Sequence, residues 1–298
     1  MQRFKEYLQE FLIEFDYPLE AQEVFISAFK QAFSNAERWA QFQEVFAKYE
    51  QDFTTSFAAV IAAAKEIAKK SELNEYTVHL LVLILLSKAS KKHYEQSKLS
   101  AEIWKRNFFD LKYKNEECKL VKGVWGTFCP DWFSRFFNLT RFSFEKLQFE
   151  TVLFGRTYQK EGVALHEKSV VINVHIPRTG GKLTPESVDE ACAQARDFYK
   201  KREGLSPIVF VCNSWLLYPE NKKILPPTSN LHSFISRFEV LQTYEDTSYV
   251  DVWRLFDKDY NGNVDELPQN TSLRRAYAQK MKANENLGRS YGVWVYEK

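Results

Sequence analysis

Four polar side chains lie in or beside otherwise apolar segments: a carboxylate and an imidazole, which can transfer protons, and two amides, which can form hydrogen bonds. Glu150 lies in LQFETVLF, Asn173 and His175 lie in VVINVHIP, and Asn213 follows PIVFVC. Because successive side chains of a strand point to opposite faces, Asn173 and His175 share one face of their segment. Burying such groups costs free energy unless they are paired or used. These residues are therefore the first candidates for a functional site.

Whether these polar side chains can act together depends on whether the three strands place them on the same face of a sheet. If the faces coincide, all four side chains converge near the ends of the strands. One interpretation is a structural hydrogen-bond network. The other is an active site in which His175 or Glu150 accepts a proton, directly or through water. The alternation of side chains leaves both interpretations open.

A short glycine-containing loop follows His175 and leads into a predicted helix. Thr184 suits the N-cap because its hydroxyl can accept a backbone N–H, and Pro185 suits the first helical position. The N-terminus of a helix has unpaired N–H donors and a partial positive charge, so it attracts anions such as phosphate. Neither common nucleotide-binding spacing is present. A phosphate site and a plain strand-to-helix connection both fit this segment.

The segment from Asp257 to Asp265 offers a rival site. Its sequence, DKDYNGNVD, matches the first nine positions of an EF-hand calcium loop, but Pro268 occupies the twelfth position, which requires Glu. Asp, Asn and Gly are also typical of surface turns. No His or Cys pairs have zinc-ligand spacing, and no G-x-S-x-G is present. The sequence therefore predicts no metal cofactor, with calcium binding as a minor alternative.

The elements that must position these residues fall into two predicted domains. Residues 1 to about 115 contain one proline and no glycine, and their apolar residues recur at helical spacing. Glycines, prolines and β-branched runs follow the segment from Lys114 to Lys122. We expect an all-helical domain over residues 1–115 and an α/β domain over residues 116–298.

In the second domain, the strand that contains Glu150 is expected to pair with the strand that contains His175. A polar turn over residues 155–162 joins them. The segment Pro207 to Cys212 follows a helix, so its strand is expected to lie parallel to the strand before that helix. Later strands are predicted over Glu239 to Tyr244 and Tyr291 to Tyr296. The result is a mixed sheet flanked by helices.

The charge and the hydropathy of the chain argue against nucleic acids and membranes as binding partners. The 298 residues carry a formal net charge of +2 with acidic and basic residues interleaved, which gives no basis for nucleic-acid binding. The N-terminal segment lacks the apolar core of a signal peptide, and the longest apolar run is too short to cross a bilayer. Four cysteines without regular spacing indicate reduced thiols. We expect a cytoplasmic protein with no membrane partner, while its oligomeric state stays undetermined.

Three longer segments resemble a known family. They are VINVHIPRTGGKLTPESVDEACAQARDFY, FVCNSWLLYPENKKILPPTSNLHSFISRF and LPQNTSLRRAY. They are similar to the bacterial GNAT-like acyltransferase-domain proteins. This resemblance implies an α/β (α+β) fold, in which a helical N-terminal domain precedes a GNAT-like domain with a mixed, mainly antiparallel sheet. It also implies transfer of an acyl group from acyl-CoA, as co-substrate, to an unknown amine.

The resemblance also implies a cofactor site. GNAT enzymes follow a central strand with [RQ]-x-x-G-x-[GA], whose backbone amides hold the pyrophosphate of coenzyme A. Arg178 and Gly181 match this motif, whereas Leu183 replaces the final small residue. The cofactor-binding residues that the resemblance implies are Ile176, Arg178, Thr179, Gly180, Gly181, Lys182 and Thr184. Within this set, the N–H near Ile176 is expected to bind the developing oxyanion.

The catalytic residues expected from both lines of reasoning are His175, Glu150 and Asn213. The tyrosine acid of the superfamily is not carried over, because its position in N-x-x-A-x-x-x-Y is Arg237. The alternative is a catalytically degenerate GNAT-fold module that binds a ligand or a protein partner. CoA binding without turnover would distinguish this alternative from an enzyme.

Overall fold

The computed structural model describes residues 1–54, 56–160, 162–178 and 181–297. The chain divides into two compact units, Met1–Phe142 and Ser143–Lys298. The change in composition placed the boundary near residue 115, whereas the helix Ala101–Lys122 runs through that point. This helix ends at Gly123, whose left-handed backbone (φ +73°) closes its last turn. The last helix of the predicted first domain therefore ends at its glycine cap, several residues after the predicted boundary.

The first unit is built from helices. They are α1 (Gln2–Glu14), α2 (Leu19–Ala32), α3 (Ala36–Gln51), α4 (Phe57–Ser71), α5 (Glu75–Gln96), α6 (Ala101–Lys122) and α7 (Ser134–Phe137). Side chains cap several of their N-termini: Asn35, Asn74 and Ser100 each accept a backbone N–H of the following turn. Helix α5 is apolar on nearly all sides and buried along most of its length, so it forms the centre of this unit.

The second unit contains strands and helices in alternation. Its strands are β1 (Arg141–Phe144), β2 (Leu147–Leu153), β3 (Tyr158–Lys160), β4 (Val163–Leu165), β5 (Val170–His175), β6 (Ile208–Ser214), β7 (Glu239–Asp246) and β8 (Leu287–Glu297). Its helices are α8 (Pro185–Glu203), α9 (Glu220–Ile224), α10 (Asn230–Ser236), α11 (Trp253–Phe256) and α12 (Ser272–Lys282). Strand β1 begins just before the division between the two units.

The main sheet has the strand order β1-β2-β5-β6-β8-β7. Strands β5 and β6 run parallel, and β2–β5, β6–β8 and β7–β8 are antiparallel. The predicted mixed, mainly antiparallel sheet is therefore confirmed. The segment predicted as a polar turn between β2 and β5 is different, since it includes β3, which forms a separate hairpin with β4.

The two faces of the main sheet pack differently. On one face, Tyr199 of α8 donates its hydroxyl to the backbone oxygen of Phe149 at 2.8 Å. On the other face, Val163 and Leu165 of the β3–β4 hairpin join an apolar cluster with Val171 and Val211. Glu150, Asn173 and His175 belong to this second face, because they alternate with the residues beneath α8.

Among the described residues, no helix combines the length and apolar character that spanning a membrane requires.

Candidate active site

Glu150, Asn173 and His175 form one hydrogen-bonded group. Glu150 on β2 lies directly opposite Asn173 on β5, and Gln148 lies opposite His175. The Oε1 atom of Glu150 lies 2.7 Å from Nε2 of His175. Nδ2 of Asn173 donates to the same Oε1 at 3.4 Å and lies 3.1 Å from Nε2. The convergence expected from side-chain alternation is thus present for these three residues.

The carboxylate and the imidazole of this group are largely shielded from solvent. The side chain of Glu150 is 9% exposed and that of His175 is 21% exposed. When Glu150 is ionised, its carboxylate only accepts hydrogen bonds, so the close Nε2 atom of His175 is then the donor. Neutral His175 then has its acceptor lone pair on Nδ1. A histidine oriented in this way can take a proton, and the nearby carboxylate stabilises the positive charge that results.

The strands separate beside His175. The parallel ladder that the described residues form between β5 and β6 consists of Ile172 opposite Phe210 and Asn173 opposite Val211. Both strands continue beyond these pairs, to His175 and to Ser214. On its other edge, β6 pairs with β8 along its whole length, from Ile208 to Ser214. A gap between the carboxyl ends of two parallel strands is a common location for ligands in α/β sheets.

Asn213 lies at the edge of this group rather than within it. It occupies the exposed end of β6, on the same face as Val211, and pairs with Tyr291 of β8. Among the described residues it makes no hydrogen bond to Glu150, Asn173 or His175. The prediction that four polar residues meet therefore holds for three of them, and Asn213 lies on the β8 side of the gap.

Tyr291 is a polar residue of this face that the sequence reasoning missed. Its side chain shares the face of Asn213, because directly opposed residues of an antiparallel ladder point the same way. Burial raises the pKa of the Tyr291 hydroxyl to about 12, although the guanidinium of Arg156, 4.4 Å from the ring centroid, opposes this shift. The hydroxyl stays protonated at neutral pH. The alternation in YGVWVY was the available signal, since it places Tyr291 on the face of Val293.

The predicted start of helix α8 is confirmed. Oγ1 of Thr184 accepts the backbone N–H of Ser187 at 3.2 Å, and Pro185 occupies the first helical turn. Ser187 and Val188 therefore already donate to Thr184. By contrast, the N–H groups of residues 181–184 donate no hydrogen bond to any other described residue. This segment consequently offers a set of backbone donors beside a helix N-terminus.

The remaining residues of the predicted cofactor site are placed as follows. Gly181 has φ +105°, a conformation that favours glycine, and a Cβ atom there would lie within 4 Å of no described residue beyond its chain neighbours. Lys182 is exposed, Ile176 is partly buried, and the Leu183 side chain is buried. Thr179 and Gly180 lie outside the described residues. With respect to the described residues, the space beside Gly181 is therefore open, and Leu183 packs inward.

Two arginines of the expected site region are engaged in ion pairs. The guanidinium of Arg178 binds the Asp257 carboxylate, so it is held by the protein itself. Arg237, at the position of the superfamily's tyrosine acid, pairs with Asp189 of α8 and donates to the Pro185 oxygen at 3.4 Å. Arg237 therefore anchors the start of α8.

The EF-hand-like segment uses its carboxylates within the protein. Asp257 binds two arginines, Asp265 pairs with Lys282, and Glu266 accepts from the side chain of Asn263 at 3.2 Å. Within the part of the chain that the structure describes, no group of three or more His, Cys, Asp or Glu side chains is placed to hold a metal ion. The carboxylates of Asp257, Asp265 and Glu266 therefore all have partners within the protein.

Comparison with known proteins identifies the relatives of the chain. The model of the GNAT-like C-terminal domain matches residues 141–294, and the model of the N-acyltransferase N-terminal domain matches residues 6–139. No curated protein gives a significant sequence match.

Solved structures share the fold over nearly the whole chain. An acyltransferase in complex with decanoyl-CoA aligns with a TM-score of 0.73 and 17% identity, over 97% of this chain and 87% of that chain. An acyltransferase mutant in complex with octanoyl-CoA gives 0.74 and 19%, over 97% and 88%. An acyltransferase with decanoyl-CoA and teicoplanin gives 0.68 and 18%, over 96% and 86%. The resemblance seen in the sequence is thus confirmed, and the chain belongs to the family in which an N-acyltransferase N-terminal domain precedes a GNAT-like C-terminal domain.

Proposed function

We propose that this protein is an N-acyltransferase that moves an acyl group from acyl-CoA to an amine. The observation that carries the proposal is the placement of the His175–Glu150 pair where β5 and β6 separate. Family membership supports acyl transfer, and the N–H groups of residues 181–184, which donate to no other described residue, support a phosphate site in the loop that follows β5.

The proposed reaction assigns a role to each residue of the group. The amine nitrogen attacks the thioester carbonyl, the C–N bond forms and the C–S bond breaks. His175 takes the proton that the amine loses and returns it to the departing thiolate, while Glu150 stabilises the imidazolium. The N–H of Ile176 binds the oxyanion. Asn213, on the other side of the gap, is proposed to contact the acceptor.

The proposed cofactor site uses main-chain donors. The backbone of Gly181, Lys182 and Thr184 is assigned to the pyrophosphate, together with Thr179 and Gly180. A helix N-terminus favours phosphate because its N–H groups and its dipole both attract negative charge. Lys182 adds a positive charge from an exposed position.

The relatives suggest which substrates to test first. Structural neighbours are seen with decanoyl-CoA, octanoyl-CoA and teicoplanin. We propose medium-chain acyl-CoAs as donors and leave the acceptor amine open. Turnover of octanoyl-CoA, followed as release of the CoA thiol over a panel of amines, tests this assignment. CoA binding without turnover on any amine would favour the alternative of a ligand-binding module.

The binding part of the proposal is tested with Gly181→Asp. A carboxylate at this position would face the phosphates, so we expect CoA affinity, measured by isothermal titration calorimetry, to fall at least about tenfold. Gly162→Asp is the matched control, because Gly162 also has positive φ (+87°) and a Cβ atom there would likewise approach no described residue beyond its chain neighbours. Absence of CoA binding by the unmodified protein, or equal affinities of the two variants, contradicts the proposed cofactor site.

A further inference from the structure

Two arginines from distant parts of the chain share one carboxylate. Nε and Nη2 of Arg178 donate to the two oxygens of Asp257, the second at 2.5 Å. Nη2 of Arg274 donates to Oδ2 of the same carboxylate. The pair between Arg178 and Asp257 is bidentate, which is the geometry that fixes the orientation of a guanidinium most firmly.

Asp257 is itself held in place from behind. Besides binding Asp257, Arg274 donates to the backbone oxygen of Leu255 at 2.9 Å and to Asn270 Oδ1 at 2.9 Å. The backbone N–H of Asp257 donates to the oxygen of Trp253 at 2.8 Å. The Asp257 and Arg274 side chains are 13% and 14% exposed, whereas that of Arg178 is 38% exposed. Asp257 and Arg274 thus form a mostly buried ion pair to which the more exposed Arg178 binds.

Arg178 is held at a second point. Its backbone oxygen accepts a hydrogen bond from Nζ of the buried Lys146 at 3.3 Å. Asp257 therefore holds the guanidinium while Lys146 holds the main chain of the same residue. Arg178 is also the residue from which the chain enters the glycine loop. Holding it at two points defines where that loop begins.

We propose that Asp257 is a positioning residue for the diphosphate of CoA. Through Arg178 it fixes the residue from which the chain enters the glycine loop. The two guanidinium groups and one carboxylate also sum to one positive charge, which favours an anion near this entrance. This inference rests on the proposed function, since it concerns the same cofactor site.

Whether Asp257→Asn weakens or strengthens CoA binding distinguishes a positioning role from a purely electrostatic effect. Asp257→Asn removes a negative charge near the proposed diphosphate site, so Coulomb forces alone predict tighter CoA binding. Positioning predicts the opposite, because an amide cannot accept the bidentate pair from Arg178. We expect the affinity for CoA to fall about tenfold, with KM for acyl-CoA rising to the same extent and kcat staying within about twofold.

Two comparisons identify a defect confined to the diphosphate. KM for acyl-pantetheine, which lacks the diphosphate, should stay unchanged in Asp257→Asn. Arg178→Lys keeps the charge but loses the planar fork, so it should show the same defect, and the double variant should add nothing. Asp265→Asn is the control, since it removes a carboxylate of the same segment that is paired with Lys282. Its CoA affinity should match that of the unmodified protein.

The outcomes are distinguishable from failure of the proposed function. If the unmodified protein binds no CoA, both the proposed function and this inference are overturned. If it binds CoA and Asp257→Asn binds it equally well or more tightly, only the positioning role is overturned. A defect that extends equally to acyl-pantetheine also overturns it, since that result indicates general loss of structure. Thermal unfolding of each variant accompanies the titrations.

Discussion

At the scale of the residue, the proposed chemistry depends on a carboxylate inside the protein. Glu150 and His175 are 25 positions apart in the chain, and alternation assigned each to one face of its strand, so that they meet once β2 and β5 pair. The contact between Arg178 and Asp257, 79 positions apart, could not be predicted in the same way. Both ends of that contact lie in irregular segments, where no periodicity links one side chain to another.

The first prediction concerns Glu150. Glu150→Gln keeps the size of the side chain but removes the charge that stabilises the imidazolium, so kcat should fall by roughly one to two orders of magnitude with little change in KM for acyl-CoA. His175→Gln should lower kcat at least as much, and the double variant should lose little more, because the two residues act as a unit. Steady-state kinetics on octanoyl-CoA and an active amine measure these effects.

The control for this prediction is Glu203→Gln, which changes an exposed carboxylate at the end of α8. It should leave kcat unchanged. If Glu150→Gln retains the kcat of the unmodified protein, the Glu150–His175 pair is a structural network, the alternative that the sequence left open.

At the scale of the element, local signals were more informative than long-range ones. The start of α8 was predictable because Thr184 and Pro185 act within one turn. The β3–β4 hairpin was missed because three-residue strands are too short for alternation to be visible. The parallel arrangement of β5 and β6 followed from the helix between them, but the point where their ladder ends is a matter of register, which the helix does not specify.

The prediction at this scale concerns the cap of α8. Thr184→Ala removes the oxygen that accepts the N–H of Ser187, so it should lower the free energy of unfolding by about 1 kcal/mol and speed amide exchange in the first turn of the helix. Urea unfolding and hydrogen–deuterium exchange measure the two effects. Thr184→Ser retains a hydroxyl and should behave like the unmodified protein. Equal destabilisation by Ala and Ser would show that the methyl group, rather than the cap, stabilises this end.

At the scale of the whole molecule, composition separated a helical region from an α/β region but placed the division too early to match the two compact units. The change in composition begins where glycine and proline reappear, whereas the structure continues the first unit through α7. Buried thiols are distributed over both units, with Cys118 in the first and Cys192 and Cys212 in the second. Chemical labelling of these thiols can therefore follow the unfolding of each unit separately.

The last prediction uses these thiols. Burial raises the pKa of Cys118, Cys192 and Cys212 to about 12, so almost none of each is the reactive thiolate at pH 8. Cys129 is only partly buried. In the native protein we expect iodoacetamide to modify Cys129 rapidly and the other three only as the surrounding unit unfolds. Mass spectrometry along a urea series should then show Cys192 and Cys212 becoming reactive together, because one unit encloses both. Cys129→Ser should remove the rapid phase alone, and rapid native labelling of Cys212 would refute the closed packing around β6.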